Sequence, residues 1–310
     1  MRIAIIGQAP FGAAVYQRLR DDGHQIVGVF TPPEKEGARA DALADAARAD
    51  GIPLIQPRRW QRKGVVNEDV FQQYAATNPE LNVMAFVTQI IPERVLDHPA
   101  HTTIQYHPSL LPRHRGRSAI NHAILQGDAD TGLTIFWVDQ GLDTGPLLLQ
   151  KTVPIGQDDT LNSIYRDHLF PIGVQAMSEA VALVAAGAPP RIVQDETLAT
   201  YEPPWEGDIA RIDWTLPAME VHNFIRGSDR QPGAWTTFNG ATVRLYGSTR
   251  ADADPGSPGS VAALDDTGLT VRCGDGGAIR VDTAMPDGAK RGPVTEWESS
   301  AGILAGAQLE

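Results

Sequence analysis

Apolar positions in the first third of the chain fall in short continuous runs separated by polar stretches. Residues 2–6 (RIAII), 25–30 (QIVGVF) and 82–87 (NVMAFV) are such runs, with a shorter one at 53–55 (PLI). Unbroken runs of this length suit strands covered on both faces, as in a parallel sheet wound with helices. Between them, Phe11–Asp22 places Val15 and Leu19 at helical spacing, an Ala-rich helix is expected over 39–50, and a polar helix over 67–78. The alternation predicts a doubly wound α/β domain.

Further on, a helix is expected near 118–126, residues 131–139 (TGLTIFWVD) alternate as a half-buried strand, 145–153 supply another, and 160–187 read as one long helix. On that alternating strand, Trp137 reads as a core residue. After a Pro-rich passage at 202–205 the pattern changes. A helix at 217–227 leads into AWTTF, ATVRLYG, GSVAALD, LTVRC and AIRVD, short strands separated by Gly, Pro, Asn and Asp. Such spacing predicts a small β-barrel or sandwich. The chain therefore divides into domains at 1–205 and 206–310, and ADADPGSPGS (251–260) reads as an exposed loop.

Composition narrows the class. With 310 residues, 42% of them apolar, the chain can bury its own core. No run of 18 or more apolar residues appears and the N-terminus lacks a signal-peptide pattern, so a cytoplasmic protein with no membrane partner is expected. The single cysteine, Cys273, permits neither an internal disulfide nor a CxxC motif. A formal charge of −12 disfavours nonspecific attraction to nucleic acid or anionic membrane. Gly7 and Gly12 do not complete a GxGxxG fingerprint, so NAD is not expected.

Two segments carry the candidate chemistry. In Ile104–Gly116 (IQYHPSLLPRHRG) an apolar strand end stops at His107 and enters a Pro-bracketed loop; in Gln140–Gly145 (QGLDTG) Asp143 sits in a Gly-flanked loop after another strand. Both loops belong at the C-terminal edge of an open sheet, where α/β ligand sites lie. Histidine titrates near neutrality, and a carboxylate beside it can orient the ring, stabilise imidazolium or pass a proton through water. Taken singly, His107 reads as a structural side chain bonded to a carbonyl and Asp143 as an Asx-turn residue; their joint contexts favour an acid/base pair. Ser109 has no GxSxG elbow, and Pro108 with Leu110-Leu111-Pro112 points to a rigid turn. His98 and His101 are interrupted by Pro99 and no HExxH occurs, so no metal is expected. Arg113, His114 and Arg115 form a cationic cluster that either draws an anionic ligand tail or pairs with surface acids.

HPSLLPRHRG followed by GLDTG, with IGQAPFG at the start, LFP at 169–171, ARIDW at 210–214 and IRGSDRQPGAW at 225–235, resembles the folate-dependent formyltransferase family over essentially the whole chain. Within that family the pattern is most similar to the hydrolase domain of 10-formyltetrahydrofolate dehydrogenase, and next to methionyl-tRNA formyltransferase. The resemblance implies an α/β fold, a Rossmann-like formyltransferase domain followed by a C-terminal OB-like β-barrel, and 10-formyltetrahydrofolate as co-substrate. His107 and Asp143 match the family's catalytic histidine and aspartate. Phe86–Pro92 matches the loop whose backbone binds the pterin, which implicates Phe86, Gln89, Ile90, Ile91 and Pro92. Val138, Asp139, Gln140, Gly141 and Leu142 would close the other side, and Ser109, Leu110, Leu111 and Pro112 would shape the pocket. Where transferases carry Asn two positions before the histidine and the dehydrogenase domain an apolar residue, this chain has Gln105, whose amide is a candidate oxyanion donor.

The acceptor stays open at this point: a small amine, water with release of formate, or no reaction at all in a folate-binding module. The segment 31–43 stands where the tRNA enzymes carry a basic insertion, yet Lys35 and Arg39 there face Glu34, Glu36 and Asp41. Residues 201–310 hold 9 Lys and Arg against 16 Asp and Glu, net −7. An acidic surface repels a phosphate backbone, so tRNA is the less expected acceptor. Carrier-protein and aldehyde-dehydrogenase segments are not found, so oxidation to CO2 is not expected.

Overall fold

A computed structural model describes residues 1–35, 37 and 39–310, leaving aside the side chains of 298–301. Glu36, counted above in the 31–43 loop, lies outside the described residues.

The expected α/β alternation is present. The strands are β1 (Arg2–Gly7), β2 (Gln25–Phe30), β3 (Leu54–Ile55), β4 (Gln61–Arg62), β5 (Val65–Val66), β6 (Leu81–Ala85), β7 (Thr103–His107), β8 (Asp130–Trp137) and β9 (Leu147–Pro154). Between them lie α1 (Ala9–Asp21), α2 (Ala42–Ala49), α3 (Glu68–Ala76), α4 (Glu93–Leu96) and α5 (Ala119–Leu125). Seven strands form one sheet in the order β3-β2-β1-β6-β7-β8-β9. Pairing is parallel from β3 to β7 and antiparallel between β7 and β8, so the sheet is mixed. Strand order reverses beside β1, which leaves the ends of β1 and β6 as neighbours at a topological switch point.

Local chemistry sets the helix starts. Asp41 caps α2, its Oδ1 accepting from the amides of Leu43 and Ala44 at 3.0 and 3.1 Å, while its Oδ2 accepts from the Ala9 amide at the start of α1 at 2.6 Å. One carboxylate thus occupies the positive ends of two helices. Buried Asn82 on β6 donates to the Val95 carbonyl at 2.9 Å and to Thr103 Oγ1 at 3.0 Å, and accepts from Tyr74 at 2.9 Å. That network fixes the 93–96 turn against β6 and β7. His98 packs edge-on against Phe71 and Tyr74, each 5.5 Å away, as an aromatic filler.

The helix expected over 160–187 is split: α6 (Leu161–Ser163), a π-turn (Ile164–Leu169) and α7 (Phe170–Ala185). The stretch Leu161–Ala185 is long and apolar enough to cross a membrane by length and composition alone. Within α7, Ala176, Met177, Ala180, Val181 and Val184 are buried in the fold.

The chain resolves into two compact units, residues 1–115, 132–152 and 168–201 in one and 116–131, 153–167 and 202–310 in the other. The second unit draws in two segments that precede residue 202. It contains α8 (Ala218–Gly227) and an antiparallel sheet of β10 (Ala234–Phe238), β11 (Ala241–Ala251), β12 (Val261–Asp265), β13 (Gly268–Arg272), β14 (Ala278–Pro286) and β15 (Gly292–Pro293), with α9 (Val294–Ala301) after it. The sheet runs β10-β11-β14-β13-β12, with β15 on β14. The expected OB-like barrel is not closed: β10 and β12 are the two ends of this path and do not pair with each other among the described residues. The C-terminal segment stands on both edges instead. Glu310 exchanges backbone bonds with Thr237, the Leu309 amide donates to Gly259, and the Val261 amide donates to Ala307.

Cys273 sits in this unit's core at 2% exposure, and burial, reinforced by the nearby Asp275, pushes its thiol up to about 12. The thiolate fraction at neutral pH is then on the order of 1 in 10⁵. Native protein is expected to leave a disulfide-exchange reagent unreacted while urea-unfolded protein takes up one equivalent; prompt stoichiometric labelling of the native chain would contradict the burial.

Candidate active site

β7 is buried except at half-buried Gln105 and ends on His107, which is 4% exposed. His107 Nε2 lies 2.8 Å from the carbonyl oxygen of His114. A carbonyl only accepts, so Nε2 carries a proton and Nδ1 is the nitrogen left for exchange. Nδ1 faces Asp143, whose Oδ2 is 3.6 Å away. The pair is buried, with Asp143 7% exposed. At this separation proton transfer between them needs a small movement or an intervening atom.

The aspartate is held by its loop. Asp139 Oδ1 accepts from the Gly141 amide at 3.0 Å and from Thr144 Oγ1 at 2.6 Å, winding the turn. Asp143 takes φ 57°, a left-handed conformation that aspartate tolerates better than most residues. A side chain at Gly145 would put its Cβ 1.7 Å from the Trp137 carbonyl oxygen, so the GLDTG sequence needs glycine there. Gln105, two residues before His107 and on the same face of β7, directs Nε2 at Asp143 Oδ1, 3.4 Å away.

His107, Asp143 and Gln105 therefore converge beside a cleft of about 860 Å³. Gln89, Ile90, Ile91 and Pro92 line one wall, and Val138, Asp139, Gln140, Gly141 and Leu142 the other, with Gln105 and Asp143 in the lining. Ile90 and Leu142 are 77% and 58% exposed, unusual for large apolar residues, and form lips at the rim. Phe86, 48% exposed with φ 61°, is outside this lining. So are Ser109, Leu110, Leu111 and Pro112, because that segment folds inward. Ser109 Oγ donates to the Arg113 carbonyl at 2.7 Å, and the Leu111 amide donates to Thr134 Oγ1 at 3.1 Å. Trp137 is 2% exposed, its indole donating to the Pro190 carbonyl.

Two further groups position the site: Gln194, which the sequence did not single out, and Arg115 of the cationic cluster. Gln194 donates from Nε2 to the carbonyls of Asp143 at 2.9 Å and Gly145 at 2.7 Å, and its Oε1 accepts from Arg115 Nη2 at 2.8 Å. Arg115 is wholly buried, forms a bidentate pair with Glu196 at 2.7 and 2.9 Å, and donates to the Tyr201 hydroxyl at 2.6 Å. Hydrogen bonding to Glu196 holds the guanidinium above its ordinary range and the Glu196 carboxyl below its own. Of the Arg113–Arg115 cluster, Arg115 is thus a brace and not a ligand cation. The one signal in the chain is the polar run Gln194–Glu196, which has no helical or strand periodicity to explain it.

Gln194→Leu removes both bonds to the aspartate loop and strips Arg115 of an acceptor. It is expected to cost about 1–3 kcal/mol in stability, the usual penalty for buried groups left unsatisfied. Misplacing Asp143 by a fraction of an ångström should also lower turnover at least ~10-fold. Urea unfolding and kcat measured on the same preparation check both; an unchanged kcat would show that the loop needs no brace.

A formyl transferase family model matches residues 1–181, and the model of the formyl transferase C-terminal domain matches residues 207–302. The human mitochondrial 10-formyltetrahydrofolate dehydrogenase is 44% identical over 308 residues, covering 97% of this chain and 33% of that protein. The methionyl-tRNA formyltransferase of Geobacter metallireducens is 32% identical over 315 residues, covering 100% of this chain and 97% of that protein. The chain thus spans about a third of the length of the dehydrogenases it matches. Among solved structures, HypX from Aquifex aeolicus in complex with tetrahydrofolic acid shares the fold at a TM-score of 0.70 and 22% identity, over 98% of this chain and 48% of that one. The chain belongs to the formyl transferase family, and with it to a family of enzymes.

Proposed function

We propose that this formyl transferase takes the formyl group of 10-formyltetrahydrofolate and passes it to an amine acceptor that attacks the formyl carbon directly. One observation carries the reading: Asp143, 3.6 Å from buried His107, lines a cleft between the 89–92 and 138–143 loops, at the edge of the sheet where α/β ligands bind. The apolar lips Ile90 and Leu142 suit the faces of a flat ring, and the backbone of Gln89–Ile91 carries amides and carbonyls that can meet the ring's polar edge.

The acceptor nitrogen adds to the formyl carbon and the carbonyl oxygen becomes an oxyanion. With its Nε2 proton committed to His114, His107 can donate to that oxygen only in its doubly protonated form, through Nδ1–H, and the Gln105 amide supplies a second donor. Asp143 accepts the proton released by the acceptor, directly or through water. When the intermediate collapses, the bond from carbon to the folate nitrogen breaks and that nitrogen takes up the proton, so acceptor and folate exchange one formyl group for one hydrogen. No metal and no nicotinamide enters this scheme.

Charge supports one class of acceptor over another. The amide that opens α1 is already bonded to Asp41, and the same recess is lined by Glu34 and Asp45 against one cation, Arg39. A phosphate seeking that helix end meets carboxylates. Together with the −7 charge of residues 201–310, this points to a small amine without a phosphate and away from tRNA. Water is the second reading, favoured by the higher identity to the dehydrogenases, 44% against 32%. Incubation with 10-formyltetrahydrofolate and a panel of small amines, initiator methionyl-tRNA or no addition tests the assignment. Tetrahydrofolate formed only with a small amine supports transfer, and formate released without addition supports hydrolysis. Tetrahydrofolate formed only with tRNA, or a folate held but never deformylated, would overturn the reading.

A further inference from the structure

The loop that carries Asp143 is fixed at one end and exposed at the other. Its heel is tied down by Gln194, which donates to the Asp143 and Gly145 carbonyls, and its turn is wound by Asp139. Its tip, residues 140–142, is exposed. From that tip Gln140 Nε2 reaches across the cleft and donates to Glu93 Oε1 at 2.5 Å. Both residues line the cleft, one from each wall.

The far end of this bond is a fixed post. Glu93 opens α4, and that short helix is held by several neighbours: the Val95 carbonyl accepts from Asn82 at 2.9 Å and from Tyr74 at 3.1 Å, the Leu96 carbonyl accepts from Thr103 Oγ1 at 2.7 Å, and Arg94 pairs with Glu68 at 2.6 Å. The same loop therefore bridges the cleft twice. Half-buried Gln105 and buried Asp143 meet at its floor, 3.4 Å apart; Gln140 and Glu93, both exposed, meet at its mouth. Buried Met84, Leu96 and Phe136 complete the lining. Loop heel and post are each fixed by other contacts, so the mouth bond is not needed to build either. An exposed bond between an amide and a carboxylate is weak enough to open and close on the timescale of ligand exchange.

We infer that Glu93 and Gln140 form a latch across the mouth of the cleft, a positioning pair that ties the aspartate loop to the opposite wall and opens each time a ligand enters or leaves. This rests on the folate reading of the cleft. A flat ring that reaches Asp143 passes the line between Glu93 and Gln140, and the apolar lips Ile90 and Leu142 close over it when the loop tip is drawn back to the post. A bond that forms with or without ligand slows entry and release alike and shifts the binding equilibrium little, since it does not distinguish the two states.

The test follows binding and displacement of tetrahydrofolate by stopped-flow tryptophan fluorescence on the intact chain, on Gln140→Ala, on Glu93→Ala and on the exchange Glu93→Gln/Gln140→Glu, with circular dichroism as a check of folding. Each single variant is expected to raise both the association and the dissociation rate constant about 5- to 10-fold, with Kd within about 3-fold of the natural chain. The exchange variant keeps one amide and one carboxylate at the two positions and should bring both rate constants back to within about 3-fold of the natural values. A cleft merely loosened by substitution would not be rescued in this way. Unchanged rate constants in both single variants, faster release with no change in association, or an exchange variant as fast as the singles would overturn the inference and leave the folate reading standing. Failure of the natural chain to bind tetrahydrofolate would remove the folate reading itself, and the latch with it.

Discussion

Asp143→Asn is expected to lower the rate of formyl transfer by about three orders of magnitude while leaving folate affinity within a few-fold, since a positioned acid/base group typically contributes 10²–10⁴. The substitution isolates the chemistry. Asn keeps the size of the side chain and accepts the left-handed φ of 57° at least as readily, so the loop held by Gln194 stays in place. What is lost is the carboxylate that faces His107 Nδ1 at 3.6 Å and the proton acceptor it provides. His107→Asn should fall by a similar factor, and the double variant by little more than either alone, because residues acting as a unit are not additive. A loss confined to KM would mean that the pair only helps to hold the ligand.

Gln105→Ala is expected to reduce kcat by roughly 100- to 1,000-fold, the usual effect of deleting an oxyanion donor. The Gln105 amide stands 3.4 Å from Asp143 Oδ1, so one of its N–H bonds is directed at the carboxylate and the other remains for the cleft. Gln105→Glu separates length from donor capacity: it preserves reach but sets a second carboxylate against Asp143. It should be at least as impaired as the alanine variant at neutral pH. Activity of Gln105→Glu near that of the natural chain would show that residue 105 fills space and supplies no donor.

How much of this was legible in the sequence depends on the range of the interaction. Periodicity located β1, β2 and β6 because their apolar runs are local, and the abrupt stops at His107 and in QGLDTG located loops that the structure brings within 3.6 Å of each other. Contacts across the chain left no local trace. Gln194 reaches Asp143 from 51 residues away and Arg115 reaches Glu196 from 81, so the sequence left open whether the cationic tripeptide draws a ligand or pairs with surface acids, and its third member does the latter. Ser109–Pro112 read as pocket wall, yet the Ser109 and Leu111 bonds turn that segment into the interior. The hairpin at 61–66 was missed because two-residue strands carry no period. Strand spacing left a barrel and a sandwich open, since it does not reveal that residues 307–310 bond to both edges of the second sheet.

The central claim is that the His107–Asp143 pair deformylates 10-formyltetrahydrofolate in the 89–92/138–143 cleft. Its most direct test is a single-turnover measurement of tetrahydrofolate formation from formyl-labelled 10-formyltetrahydrofolate, natural chain beside Asp143→Asn, each with water alone and with the amine that serves best. The account predicts tetrahydrofolate and a displaced label with the natural chain, and bound but intact 10-formyltetrahydrofolate with the variant. Equal rates for the two proteins, or no deformylation by the natural chain under either condition, would contradict it.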